Sequence, residues 1–581
     1  MTKKVTGVLL PVLIQDPAVA GETRARSIVH PVFVKDPAGF VEGPACRRVA
    51  VVDLDFITGK LRRPLPFEPT ITMWKGFTHY RVALPRSRGK VLQPWGRSKK
   101  RGVDLSQLAV SNNDALLKVS AFGTVLRTLV LIQNPAVLGR EIAWAFPGKQ
   151  LLVVPQAGEL DNAFYHRDSR SLQFYYGKSS AGTVWSGLSQ DIVAHEAAHA
   201  IVDGIAPDLY DAVSPESLAI HEGLADLTAV MLSMRNRELA HSRDYEIDES
   251  EVQGSSRFSQ IAEEFGRWRG HGNALRDIYN TATMRAVDDS SPHAMSQVLS
   301  GLMFEVFSAL YAEALTDPAA KRKVRAIEAS AGPEALRYRV AYATDRTLGI
   351  CFRGLDWLPP GDASFADLLA AMLIADELYV PDRARARRAL RKHAARRGIA
   401  IPDSIDLGEN VLVPATAAAK RALGESYRSV LEIPDEARVT VTVRRTNIYR
   451  PPLLPRSNTE VFDLKPDMSR FEETPHHVIK IAWWQREAND LGPRWGRQRR
   501  YRTGATIVVD PDGKIVAALR NGHGATAAGP RSRFLRRMIA ASPGSVGPDG
   551  KPLLGGLRAT LDGDMLSISG ALQALHVAEV E

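Results

Sequence analysis

The chain has 581 residues, of which 45% are apolar and 24% are charged, and its formal net charge is +10. This is an ordinary composition for a globular protein, and the length suits two to four domains. A disulfide framework is excluded because only Cys46 and Cys351 are present, and free thiols in a reducing compartment are expected.

The N-terminal residues carry lysines and a short apolar run that ends at Asp16. The run is shorter than a signal peptide and lacks a small-residue cleavage context, so we expect a strand in a cytoplasmic protein. Residues 1–105 alternate short Val-, Ile- and Phe-rich runs with turns, which predicts a β-rich N-terminal region. No uncharged apolar stretch of about 18 residues occurs, so we expect no membrane span.

A helical pattern begins near residue 114, two strand-like runs follow at 151–154 and 172–176, and residues 190–400 are predicted to be mostly helical. Within the helical part stands His195-Glu196-Ala197-Ala198-His199. Residues four apart on a helix share one face, so the two histidines are candidate ligands of one metal ion. Glu196 beside them is a candidate general base for a metal-activated water. Ser189 is the predicted N-cap, and Gly204 and Pro207 are predicted to end the helix.

A second helix is predicted to begin after Ser214, with Pro215 at its first position. It carries Glu222 as a candidate third ligand, and Asp226 four residues later to fix the tautomer of a ligand histidine. The histidine pentad alone is also compatible with a salt-bridged helix surface, but the carboxylate pair on the next helix weighs against that interpretation. His221 points about 100° away from Glu222, which favours a polar supporting role or a surface position.

These residues resemble the thermolysin-like gluzincin zinc metallopeptidases, and look closest to a bacterial branch without secretion signals. The resemblance covers roughly residues 106–400 and includes Asn162-Ala163-Phe164-Tyr165, which is similar to the family's substrate-lining stretch. Residues 292–296 look like the family's His-x-x-Ser segment. The chain departs from the family at His221, where the family usually has asparagine, and in a longer link from His199 to Glu222.

The resemblance implies one catalytic Zn²⁺ held by the two histidines and Glu222, with Glu196 as general base. It implies that Tyr210 and His293 stabilise the developing oxyanion and that Asp288 holds His293. Asn162 and Ala163 are implied to bind substrate. Residue type alone leaves simpler roles open: Tyr210 as a packing residue, His293 as a loop histidine and Asn162 as an ordinary turn residue.

The family's substrate-carbonyl-binding arginine has its best match in Arg276. Arg267 and Arg269 are rivals, and a surface salt bridge is an alternative role for each of the three. No EF-hand loop is present, so calcium is not assigned.

Residues 406–436 are predicted to contain a connecting helix, and residues 437–581 to form a basic β-rich domain. Within that domain, 507–516 reads as a hairpin around Asp-Pro-Asp-Gly. Residues 494–502 interleave aromatic residues with arginines, as single-stranded nucleic-acid binders do. A solvated face or a docking module for a protein partner is favoured over nucleic-acid binding.

The sequence therefore predicts an α+β fold with a two-lobed thermolysin-like metallopeptidase core at 106–405, its cleft near 160–300, between β-rich N- and C-terminal extensions. The predicted function is a cytoplasmic zinc endopeptidase for peptide or protein substrates, with a protein partner or inhibitor bound through the flanking regions. The alternative is a zinc-containing scaffold or regulatory protein whose basic C-terminal domain binds a partner or nucleic acid.

Overall fold

The computed structural model describes most of the chain between residues 5 and 578. The described residues are 5–14, 29–55, 114–179, 182–236, 260–261, 276–316, 322, 333–452, 461–522, 527–541, 553–554 and 557–578, with short strands between 60 and 91. Within them the chain is a mixed α and β structure, which confirms the prediction at that level.

One large sheet runs through the N-terminal half of the chain. The strands of this half are β1 (Val5–Leu13), β2 (Val29–Val41), β3 (Ala45–Cys46), β4 (Val49–Val51), β5 (Leu54–Asp55), β6 (Lys60–Leu61), β7 (Phe67–Pro69), β8 (Tyr80–Val82), β9 (Arg86–Ser87), β10 (Lys90–Val91), β11 (Leu151–Val154), β12 (Ala163–His166), β13 (Ser171–Phe174), β14 (Tyr176–Ser179) and β15 (Gly182–Trp185). The sheet has the order β12-β13-β11-β4-β3-β2-β1-β8-β7. The strand β12 therefore lies at its edge.

The N-terminal region continues directly into the sheet of the predicted core. β11 pairs in parallel with β4, with Leu151 opposite Val49. Because this pairing joins residues on both sides of position 105, the predicted boundary there does not separate two sheets.

The α-helices within the described residues are α1 (Asp114–Gln133), α2 (Gln190–Ile205), α3 (Pro215–Met234), α4 (Pro292–Thr316), α5 (Pro333–Trp357), α6 (Phe365–Tyr379), α7 (Arg385–Arg396), α8 (Ala417–Ser426), α9 (Ala528–Ala541) and α10 (Ala571–Ala578). α1 packs on β1 and α2, and α3 packs between α2 and α4. Two of these helices contain stretches that are long and apolar enough to cross a membrane, 116–133 and 292–314, of which 100% and 72% are buried inside the structure. Their apolar surfaces thus form the protein core.

The C-terminal half contains a second sheet. The remaining strands are β16 (Gln260–Ile261), β17 (Arg276–Asp277), β18 (Thr440–Tyr449), β19 (Val461–Asp463), β20 (Glu473–Ala488), β21 (Gln498–Val509), β22 (Ile515–Arg520), β23 (Leu553–Leu554), β24 (Leu557–Asp562) and β25 (Met565–Ser569). The predicted hairpin is confirmed as β21–β22, whose turn contains Gly513 at a positive φ of 88°. α8 lies in the predicted connecting region.

The C-terminal region is joined to the rest of the chain by several contacts. β19 adds in parallel to β2. The Tyr449 hydroxyl donates a hydrogen bond to the Pro135 carbonyl at 2.8 Å. The buried Asp356 carboxylate binds Arg140 at 2.6 Å and Arg444 of β18 at 2.7 Å. The second sheet is thus fixed against the helices that surround the histidine pentad.

Candidate metal centre

The helix α2 positions the histidine pentad. Its N-cap is Ser189, as predicted, and the Ser189 hydroxyl accepts a hydrogen bond from the Ile192 N–H at 3.3 Å. The helix passes Gly204 by one residue and ends at Ile205, before Pro207. A Cβ at Gly204 would lie 2.2 Å from the Ala143 carbonyl oxygen, so glycine is required there by close packing and does not act as a helix stop.

Three predicted ligands from α2 and α3 converge in the buried space between these helices. The Nε2 atoms of His195 and His199 lie 3.0 Å apart. The Glu222 carboxylate lies 3.5 Å from each of these two nitrogens. His199 and Glu222 are fully buried, and His195 is 6% exposed.

The two 3.5 Å distances to Glu222 match the spacing of ligands around a shared cation, whereas the 3.0 Å between the two Nε2 atoms is also a hydrogen-bond distance. Two atoms that each lie about 2.0–2.1 Å from a tetrahedral ion are about 3.4 Å apart. Both carboxylate oxygens of Glu222 are buried without a hydrogen-bond partner among the described residues, although imidazole nitrogens surround them. Two imidazoles and one carboxylate are a common donor set for zinc. The buried His/Glu groups here, of which His195, Glu196 and His199 form one, could therefore hold a metal ion.

The side chains behind the cluster orient its histidines. The Asp226 carboxylate lies 2.9 Å from His195 Nδ1, which leaves Nε2 directed at the cluster, as predicted. His221 is fully buried, and its Nδ1 lies 3.1 Å from His199 Nδ1. His221 was expected either to support the site or to lie at the surface. The structure places it behind His199, in the supporting position. The electrostatics also suit the cluster, because burial raises the pKa of Glu222 but the neighbouring His293 and His199 outweigh it and lower the pKa well below its usual value.

The candidate general base lies beside the cluster and against the edge strand. One Glu196 carboxylate oxygen accepts a hydrogen bond from the Tyr165 backbone N–H of β12 at 2.9 Å. Burial raises the pKa of Glu196 to about 8, against the opposing effect of His195. A carboxylate with a raised pKa is suited to taking up a proton near neutral pH.

Arg276 and His293 lie on the other side of Glu222. An Arg276 guanidinium nitrogen lies 3.1 Å from His293 Nδ1 and 3.3 Å from the Asp226 carboxylate. His293 Nδ1 lies 3.3 Å from Glu222. The structure thus brings together the predicted arginine and the predicted oxyanion histidine. The rival Arg267 and Arg269 lie outside the described residues.

Two predicted site residues are placed elsewhere. The Tyr210 hydroxyl accepts a hydrogen bond from the Arg167 backbone N–H at 3.3 Å, and its ring lies 3.9 Å below the Arg167 guanidinium. It therefore packs beside the cluster without contacting the ligands. Asp288 binds Ser290 at 2.7 Å and Arg537 at 2.9 Å, and its side chain is 45% exposed. The expectation that Asp288 holds His293 is corrected, because the turn before α4 directs its carboxylate outward.

A residue that the sequence did not indicate also reaches the cluster. His576 of α10 is 7% exposed, and its Nε2 lies 3.7 Å from the Glu222 carboxylate. His199, Glu222 and His576 together form a second buried group able to hold a metal ion. The predicted substrate-binding residues lie at the same place: Asn162 Nδ2 donates to the His576 carbonyl at 2.9 Å, and Ala163 opens β12. No spacing rule points to His576, which is separated from the pentad by most of the chain.

No protein-family model matches this chain, and no curated protein matches it either. The resemblance to the gluzincins therefore rests on the sequence motifs alone. The functional conclusion depends on the geometry of the cluster.

Proposed function

We propose that this chain is a zinc-dependent endopeptidase with a thermolysin-like core. In this proposal the mixed α/β part before α2 and the helical part after it form two lobes around a cleft. The convergence of His195, His199 and Glu222, with distances of 3.0–3.5 Å between their donor atoms, carries the proposal. Glu196 on the same helix adds the base that hydrolysis requires.

His195, His199 and Glu222 would hold the zinc, which when bound would supply an activated water and polarise the substrate carbonyl. The Glu196 carboxylate takes the proton of the attacking water and passes it to the leaving amine. The Tyr165 N–H holds one Glu196 oxygen at 2.9 Å, so the base has a fixed position next to β12.

The edge strand β12 is the proposed place for the substrate backbone. Its partner in the sheet is β13 on one side, and an extended peptide can pair with the other edge of such a strand. Arg276 and His293 are the proposed donors to the developing oxyanion, since both are polar groups within 3.6 Å of Glu222. Tyr210 is given no part in the proposal, because its described contacts are with Arg167 and Tyr165 and not with the ligands.

A cytoplasmic location is part of the proposal. Cys46 and Cys351 are both buried free thiols, which fits a reducing compartment. The natural substrate is a peptide or protein, and a protein partner or inhibitor acting through the flanking regions remains part of the hypothesis.

Nucleic-acid binding by the basic stretch 494–502 is a weaker alternative. Arg499 is 2% exposed and pairs with Glu487, and Arg502 pairs with Asp208 near the end of α2. Arginines that are engaged in internal ion pairs contribute less to a phosphate-binding surface. These contacts favour a structural role for the stretch.

The test combines metal content with hydrolysis of a quenched-fluorescence peptide library. Purified protein is expected to contain about one zinc per chain, and a chelator is expected to remove both the zinc and the activity. Glu196→Gln should keep the zinc but lose hydrolysis. Both forms are compared with and without His576→Ala, because His576 lies 3.7 Å from the Glu222 carboxylate. Unchanged hydrolysis by Glu196→Gln would exclude the proposed base.

A further inference from the structure

The helix α10 closes the candidate metal centre from the side of the edge strand. The His576 ring centroid lies 5.2 Å from that of His199 and 6.4 Å from that of His293. Its Nε2 is within 3.7 Å of Glu222, inside the range that ligands of one ion require. His576 thus occupies the part of the cluster that faces the proposed substrate path.

The same helix is held over β12 by contacts along its length. Asn162, directly before β12, donates to the His576 carbonyl at 2.9 Å. Gln573, one turn earlier on α10, makes a side-chain hydrogen bond with His166 at the other end of β12. Leu572 and Leu575 are 1% and 5% exposed and belong to the main hydrophobic core. α10 is therefore a packed element and not a loosely attached tail.

The strand β24, which precedes α10 in the chain, also contacts the region of β12. Arg558 of β24 forms an ion pair with Asp168 in the turn that follows β12. β24 and β25 pair antiparallel, and α10 follows β25 after one residue. The C-terminal segment is thus connected to the residues before β12 through Asn162 and to the turn after β12 through Asp168.

We propose that His576 is the fourth ligand of the zinc and that α10 keeps the peptidase latent by covering β12. This proposal rests on the zinc peptidase function above. A zinc held by four protein side chains is characteristic of a structural site, whereas a catalytic site keeps one position for water or substrate. Activation then consists of an exchange of ligands, in which the His576 nitrogen leaves the ion and a water oxygen replaces it. The displacement of α10 also frees β12 to pair with a substrate backbone.

The test uses the full chain loaded with Co²⁺ in place of zinc, with azide as the probe of an open coordination position. The cobalt absorption spectrum of the natural sequence is expected to stay unchanged when azide is added. His576→Ala is expected to show a saturable spectral change. Its zinc affinity is expected to fall by at least about 10- to 100-fold, the loss seen when a group that only supports a ligand is removed.

His477→Ala is the matched control, because it removes a histidine from β20, outside the cluster. This variant should behave like the natural sequence in both the azide and the zinc titrations. Near-ultraviolet circular dichroism of each variant establishes that the fold is retained. If His576→Ala does not fold, the azide titration of the natural sequence still decides the question.

The outcomes separate this proposal from the peptidase proposal. If the natural sequence binds azide and cleaves peptides, the protein is a peptidase that α10 does not keep latent. A His576→Ala variant that gains azide binding and still cleaves nothing supports the fourth ligand but removes the peptidase function. A chain that binds neither Co²⁺ nor zinc overturns both proposals.

Discussion

His221 Nδ1 lies 3.1 Å from His199 Nδ1, on the opposite side of that ring from the metal cluster. Burial lowers the pKa of His221 to about 3, so His221 is neutral at pH 7 and its Nδ1 can accept a hydrogen bond from the His199 Nδ1–H. The pair then fixes the tautomer in which His199 Nε2 is free to bind a cation.

Replacement of His221 by phenylalanine is therefore expected to weaken zinc binding by about 10- to 100-fold. His221→Asn, which keeps a hydrogen-bonding side chain and matches the usual residue of the gluzincins, should retain more affinity. Competition titration with a chromophoric chelator measures both variants. Equal affinity for the phenylalanine and natural forms would remove the tautomer argument.

Asp226 and Asp288 make a second comparison, because the structure gives only Asp226 a contact with the cluster. Asp226→Asn removes the carboxylate from His195 Nδ1 and from Arg276, so a loss of zinc affinity of about 10- to 100-fold is expected. Asp288→Asn should leave zinc affinity unchanged, since its partners are Ser290 and the exposed Arg537. A metal-binding defect in Asp288→Asn would restore its predicted role at His293.

Of the two residues predicted to stabilise the oxyanion, His293 contacts Glu222, whereas Tyr210 contacts Arg167. His293→Ala is expected to lower kcat by about 10²–10³-fold, the usual effect of losing one oxyanion donor. Tyr210→Phe removes a hydroxyl that accepts from Arg167, so the expected loss in kcat is smaller than about tenfold. Both are measured by peptide hydrolysis in the His576→Ala background. A larger effect of Tyr210→Phe than of His293→Ala would indicate that Tyr210 moves into the site with substrate bound.

The surroundings of Asp356 predict that the stability of the folded protein depends on pH. Burial would raise its pKa, but Arg140 and Arg444 outweigh burial and lower the pKa well below the ordinary value of 3.8. The folded state therefore binds this proton less readily, and the stabilisation is present above pH 3.8 and lost as the pH falls towards the folded pKa. Asp356→Asn should lower the free energy of unfolding by about 3 kcal/mol at pH 7, and by progressively less below about pH 4.

Denaturant unfolding at several pH values measures this difference. Asp564→Asn is the control, because the Asp564–Arg497 pair is separated by 3.7 Å and both side chains are more than half exposed. Exposed pairs contribute little, so no more than about 1 kcal/mol is expected at any pH. A pH-independent effect of Asp356→Asn would show that its charge is not responsible.

The parts of the site that sequence could predict are local. His195, His199 and Glu196 follow from helical spacing, and the Ser189 cap and the helix start after Ser214 follow from residue preferences at helix ends. Glu222 could be predicted as the third ligand on the single assumption that a second helix packs on the first. Local periodicity is sufficient for such features.

The features that sequence could not predict depend on contacts between distant segments. His576 is one of 14 histidines and shows no metal-ligand spacing with the others. The parallel pairing of β4 with β11 joins residues about 100 positions apart, and no short pattern specifies that register. Asp288 was misplaced because the direction of a turn depends on its neighbours, here Ser290 and Arg537.

The position of His576 has a consequence for the order in which this protein is made. It is synthesised 354 residues after Glu222 (576 minus 222). At about 5–20 residues per second, this interval lasts roughly 20–70 s on the ribosome. During that time a nascent chain already contains His195, His199 and Glu222 while the covering histidine does not yet exist. Under the two proposals above, newly made chains therefore pass through a period in which they can acquire a metal ion before α10 covers the cluster.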